Sequence, residues 1–157
     1  MRRYLWGVAA TAAAASVLVA AAVAVAGPGE QNAATAGVRC VLNTQLRVAN
    51  EPPVLSTAKG HAQLKVWNNG MLEYKVFILN KAAETFTAGH IHLTAGGGIV
   101  QGLFAGPSTT ARQIRVGNTI AVDPALATAL CTTPASYYVN FHTTADPVGA
   151  VRGNFTS

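Results

Sequence analysis

The sequence predicts an all-β protein, an antiparallel sandwich or barrel closed by many short strands. Three observations carry this. Apolar and polar residues alternate with the two-residue period of a strand. Two such runs flank an Asn-Gly turn. Further short strand-like runs come after them, each separated from the next by turn residues.

Taken in order, Val38 to Val48 is the first predicted strand, and Pro52-Pro53 breaks the chain after it. His61 to Trp67 places Ala62, Leu64 and Val66 on one face and His61, Gln63 and Lys65 on the other. Asn68-Asn69-Gly70 is a tight-turn sequence, because Asn and Gly tolerate positive φ. Met71 to Leu79 alternates again, with Leu72, Tyr74, Val76 and Ile78 on one face. Phe86 to Thr94 and Ile99 to Phe104 are the next strands, joined through Ala95-Gly96-Gly97-Gly98. After the break at Gly106-Pro107-Ser108, Arg112 to Val122 is strand-like, with a turn expected at Gly117-Asn118. Asp123-Pro124 opens a short helix over 123–130: Asp is a good N-cap and proline suits the first helical position. Tyr137 to Thr143 and Ala150 to Thr156 are the closing strands.

The chain has 157 residues, enough for one domain, and half of them are apolar. Part of that apolar half lies in the first 26 residues. Arg2 and Arg3 precede an uncharged stretch, Tyr4 to Ala26, that ends in Ala24-Val25-Ala26. A positive start, an apolar run and a small-x-small end describe a secretory signal cut after Ala26. The stretch is also long enough to span a bilayer as an uncleaved anchor. The expected organisation is therefore residues 1–26 as signal peptide or anchor, 27–37 as flexible lead-in and 38–157 as the domain. Localisation is expected to be extracellular or in the cell envelope.

Without residues 1–26 there are 9 basic and 6 acidic side chains, a formal charge of +3. The charges are scattered, with no basic run for nucleic acid. The expected partner is an extracellular or envelope protein, and a membrane only if the leader is retained. Cys40 and Cys131, an even pair in an oxidising compartment, are expected to form one disulfide.

Few residues can carry catalysis. Glu73, Glu84, Asp123 and Asp146 are far apart, which does not support a paired-carboxylate hydrolase. Ser108, Ser136 and Ser157 lack a nucleophile-elbow context. The Gly96 to Gly98 run opens no helix and is not a phosphate loop. No catalytic residue is assigned.

The histidines are more informative. Strand parity sets His90 and His92 opposite Ile91 and Leu93, and sets Tyr138, Asn140 and His142 opposite Val139 and Phe141. His61 and Arg152 also lie opposite apolar partners, so all of them are expected on an outer face. Two histidines at i and i+2 on a strand can reach one ion, and His142 can complete a three-imidazole site for Cu²⁺ or Zn²⁺. The leading reading is a polar network of the same histidines with Asn140, Thr143 and Arg152 that fixes strand pairing in a non-catalytic module; the copper or zinc site, with redox activity open to it, is the alternative.

Gly89-His90-Ile91-His92 before a glycine-rich turn resembles the first half of the CHRD (chordin) domain motif. Tyr138 to Thr143, then Pro147, Gly149 and Val151-Arg152-Gly153, resembles its second half. The family usually continues after the second histidine with a Gly-Pro-Val-like step; Leu93 to Ile99 here has no proline. The resemblance covers residues 38–157. It implies a secreted, non-catalytic binding or structural module on an immunoglobulin-like or Cu/Zn superoxide dismutase-like sandwich. The His-x-His strand is also similar to the copper-binding strand of those dismutases. Only His90, His92 and His142 have counterparts there, with His61 left as the candidate fourth ligand.

Overall fold

A computed structural model describes residues 37–50, 54–105 and 108–156. The expected leader, the lead-in up to residue 36, Pro52-Pro53, Gly106-Pro107 and Ser157 lie outside the described residues. Eight strands run in order: β1 (Val38–Arg47), β2 (Lys59–Trp67), β3 (Met71–Leu79), β4 (Phe86–Leu93), β5 (Ile99–Phe104), β6 (Gln113–Ala121), β7 (Tyr137–Thr143) and β8 (Val151–Asn154). One helix, α1 (Pro124–Thr132), lies between β6 and β7.

All strand pairings are antiparallel and form one sheet in the order β5-β4-β7-β8-β1-β2-β3-β6. Its two halves share one core and curl towards each other, so the fold lies between a sandwich and a barrel. The Tyr74 hydroxyl of β3 donates to the Leu103 carbonyl of β5, a bond from one half to the other. Leu42, Leu64, Leu72 and Ile78 from one half and Ile91, Val139, Phe141 and Val151 from the other fill the interior. Each such side chain, removed fully from water, contributes about 1.5–3 kcal/mol.

The β2–β3 hairpin turns where the Asn-Gly signal sets it. Gly70 has φ +79°, and the Asn69 side chain accepts from the Met71 amide at 3.2 Å. The turn expected at Gly117-Asn118 does not form: β6 runs straight through, pairing Gly117 with Lys75 and Asn118 with Tyr74. Gly117 serves close approach instead, since a Cβ there would lie 2.9 Å from the Tyr74 carbonyl oxygen. The helix begins as its signals require. Asp123 Oδ1 accepts from the amides of Ala125 and Leu126 at 2.8 and 3.2 Å, and Pro124 occupies the first turn.

The seam between the halves is the thinnest pairing in the sheet: β1 meets β8 in register only at Arg47 and Arg152. Side chains complete it. Thr44 Oγ1 donates to the Asn154 carbonyl at 2.7 Å, and Asn50 Nδ2 donates to the Arg152 carbonyl at 2.8 Å. Gly153 makes room for this, because a Cβ there would lie 2.6 Å from Thr44 Cγ2. Gly153→Val is expected to overpack the seam and destabilise the protein by about 1–3 kcal/mol, read from denaturant unfolding.

Cys40 of β1 and Cys131 of α1 form the disulfide, with a Cα–Cα distance of 5.7 Å and 91 residues of separation. A Cys40→Ala/Cys131→Ala variant should lose about 4 kcal/mol of unfolding free energy, as expected for a loop of this length. A loss below about 1 kcal/mol would show that α1 is held by packing rather than by the link.

Candidate metal centre

The central element is β7, and all seven of its residues are buried. It lies between β4 and β8, and its register fixes which side chains become neighbours. His142 stands beside Ala88, Asn140 beside His90 and Tyr138 beside His92. The histidines of β4 and the one of β7 therefore fall on a common face, opposite Ile91, Val139 and Phe141. Gly89 lets the strands close: the Phe141 ring covers it so tightly that a Cβ would lie 2.3 Å from a ring carbon. The aromatic ring stands in for the missing side chain.

That common face is not the open outer face expected from parity. His92 is 5% exposed and His142 is 8% exposed. Parity gives the side of the sheet but not what covers it. Here two loops do. Residues 94–98 turn back through Gly96 and Gly97, both at positive φ, and residues 144–149 fold over β7. The second loop is shaped by Asp146, whose amide donates to Thr143 Oγ1 at 3.0 Å and whose carbonyl accepts from the Thr143 and Gly149 amides.

Each loop presents one backbone carbonyl to one histidine. His92 Nδ1 lies 2.8 Å from the Gly97 oxygen, and His142 Nδ1 lies 3.0 Å from the Pro147 oxygen. A carbonyl only accepts, so both Nδ1 atoms carry the proton and both Nε2 atoms present a lone pair. His142 Nε2 lies 3.1 Å from His90 Nδ1, which donates to it. His92 Nε2 is buried with no hydrogen-bond partner.

One nitrogen from each of His90, His92 and His142 lies within 4.8 Å of the others. Bonds of about 2.0 Å to a common ion require separations of about 3.3–3.5 Å. His90 Nδ1 and His142 Nε2, 3.1 Å apart, lie slightly inside that range, and binding an ion there would require His90 to carry its proton on Nε2 instead. Carbonyls that fix the tautomer and aim of ligating imidazoles are the usual outer support of a metal site. The orphaned lone pair on His92 costs about 1–3 kcal/mol, which an ion would offset.

The other expected residues are placed differently. Asn140 Nδ2 donates to the Val148 carbonyl at 3.0 Å, and its Oδ1 is buried without a partner. Thr143 is buried on the core side and holds the 144–149 loop. Arg152 Nε donates to Asn154 Oδ1 at 3.1 Å. None of the three hydrogen-bonds to a histidine. His61 lies in the other half, with its ring centroid 5.5 Å from that of Phe77, and does not join the cluster. It lines a surface groove of about 670 Å³ with Phe77, Lys75 and Arg115, remote from the three histidines.

Two contributors are not expected from the sequence. Tyr138 stacks on His92, with ring centroids 5.0 Å apart and planes 13° from parallel, and the Arg152 guanidinium lies 3.5 Å from the centre of the Tyr138 ring. Tyr138 has the parity of His142, but stacking depends on rotamers that a sequence does not display. Gly97 contributes through its carbonyl, which carries no side-chain signature.

These features define a class first: a disulfide-linked, all-β module with a loop-covered histidine cluster on one half of its sheet. The chain belongs to the CHRD family, whose CHRD domain matches residues 41–155. That span contains both halves of the motif. No curated protein and no solved structure matches the chain.

Burial lowers the pKa of His90 and of His142 below the ordinary 6.5, and the neighbouring histidines lower them further; the Pro147 carbonyl partly opposes this at His142. The unfolded chain then binds protons that the folded chain refuses, so stability rises with pH through this window. In chelator, unfolding free energy should fall as pH drops below about 6.5, and a His90→Gln/His142→Gln variant should show a flatter profile. An equally steep profile in the variant would assign the dependence to other groups.

Proposed function

We propose that this CHRD domain is a non-catalytic binding module that works outside the cytoplasm, and that its ligand is a copper or zinc ion held by His90, His92 and His142. Family membership supports a binding role in general, and the Cys40–Cys131 disulfide is consistent with an oxidising compartment. The observation that carries the metal reading is the convergence of three imidazole nitrogens, two of them on rings aimed by loop carbonyls. Imidazole donors suit copper and zinc, whereas hard ions such as Mg²⁺ and Ca²⁺ take oxygen ligands.

The role is storage, delivery or structural use of the ion rather than turnover. Among the described residues no carboxylate is grouped with the three histidine nitrogens as a general base would be. On this reading the exported chain begins at Gly27, which its intact mass would show.

Metal titration of the purified protein tests the proposal. One equivalent of Cu or Zn should bind, and at a free concentration about 100 times Kd should raise the unfolding free energy by about 2.7 kcal/mol. His92→Ala should lose both effects while keeping the fold. Absence of one-to-one binding would leave the histidines as a purely structural cluster.

A further inference from the structure

Resting on that metal-centre reading, we propose that the centre selects monovalent copper over divalent ions. The donor set is electrically neutral. His92 and His142 keep their Nδ1 protons on carbonyls, so neither can become an imidazolate without breaking that bond. The four acidic side chains of the described residues are accounted for elsewhere. Glu73 pairs with Lys65 and Lys75, and Asp123 caps α1. Glu84 Oε1 accepts from the Thr57 amide and Asp146 Oδ1 from the Leu55 amide; their second oxygens are buried without a partner, but neither carboxylate joins the three grouped donors. Asn140 Oδ1, the other unpartnered acceptor on this face, is also neutral. None of the three donors carries a charge to offset that of an ion held here.

Burial makes that charge decisive. His92 and His142 are both less than a tenth exposed, and His90 is half-buried. The cost of taking an ion out of water rises with the square of its charge, so a divalent ion pays about four times what a monovalent one does. Arg152 adds to the bias. Its guanidinium lies 3.5 Å from the centre of the Tyr138 ring, which stacks on His92 at 5.0 Å. A fixed positive charge one aromatic ring beyond a ligand repels a dipositive ion twice as strongly as a monopositive one.

Coordination number points the same way. The cluster offers three imidazole nitrogens. Zn²⁺ completes four ligands and Cu²⁺ favours a tetragonal set, so each must import a further ligand and its counter-charge. Cu⁺, with a filled d shell and a single charge, is satisfied by three nitrogens in a plane.

The test is competition for each ion on the purified full chain. Cu⁺ is measured anaerobically against a chromophoric Cu⁺ chelator, and Cu²⁺ and Zn²⁺ against chelators of matched strength. Cu⁺ is expected to bind at least about 100-fold more tightly than either divalent ion, the direction that the charge-squared desolvation cost sets. Arg152→Gln should narrow that ratio by about tenfold and Arg152→Lys should restore it, a pattern that a merely structural arginine would not give. Far-ultraviolet circular dichroism of each variant verifies that the sheet is retained. Divalent binding as tight as Cu⁺, or a ratio that ignores the charge at position 152, overturns this inference and leaves the metal centre standing. Failure to bind any of the three ions overturns the metal centre itself.

Discussion

The pairing of β4 with β7 is the constraint on which both the core and the histidine cluster depend. Its register gives each face a separate task. On one face Ile91, Val139 and Phe141 enter the interior, and Phe141 spreads over Gly89. On the other, the same two strands line up His90, His92, Tyr138, Asn140 and His142. A slip of one residue would exchange the faces, sending imidazoles into the core and large apolar groups under the loops. The apolar face thus holds the polar one in place, and burial energy fixes the histidine geometry without a contact between them.

The loops complete the arrangement the strands begin. A strand can set two side chains on one side of a sheet, but it cannot choose which ring nitrogen carries a proton. The carbonyls of Gly97 and Pro147 make that choice. The positive φ angles of Gly96 and Gly97 are the local cost of turning the first carbonyl inward, and glycine bears it without a Cβ clash. The proline expected at this step of the family motif is absent from Leu93–Ile99, and the two glycines make the turn without it.

Much of this was legible in the sequence because strand period and turn chemistry are local. The β2–β3 hairpin, β5, β7 and the Asp123-capped helix come from alternation, Asn-Gly, Gly-rich and Asp-Pro signals. The Cys40–Cys131 link comes from compartment and count. Gly117-Asn118 misled because glycine also serves where strands approach closely, and only the partner strand distinguishes the two uses. The histidines' side of the sheet was readable from parity. Their burial was not, because it depends on loops 94–98 and 144–149 folding back from outside the strands. The stacking of Arg152, Tyr138 and His92 was also out of reach, since it joins three strands through rotamer choice.

The seam between β1 and β8 has a consequence for how the molecule can diversify. One register pair and two side-chain bonds join the halves there. The histidines, their supporting carbonyls and Tyr138 all belong to the β5-β4-β7-β8 half and its loops. The groove lined by His61, Phe77, Lys75 and Arg115 belongs to the other. Substitutions on that second surface leave the cluster's neighbours unchanged. The fold therefore divides into a half that carries the histidine cluster and a half that carries an open groove, and a lineage can change the surface of the latter while inheriting the former intact.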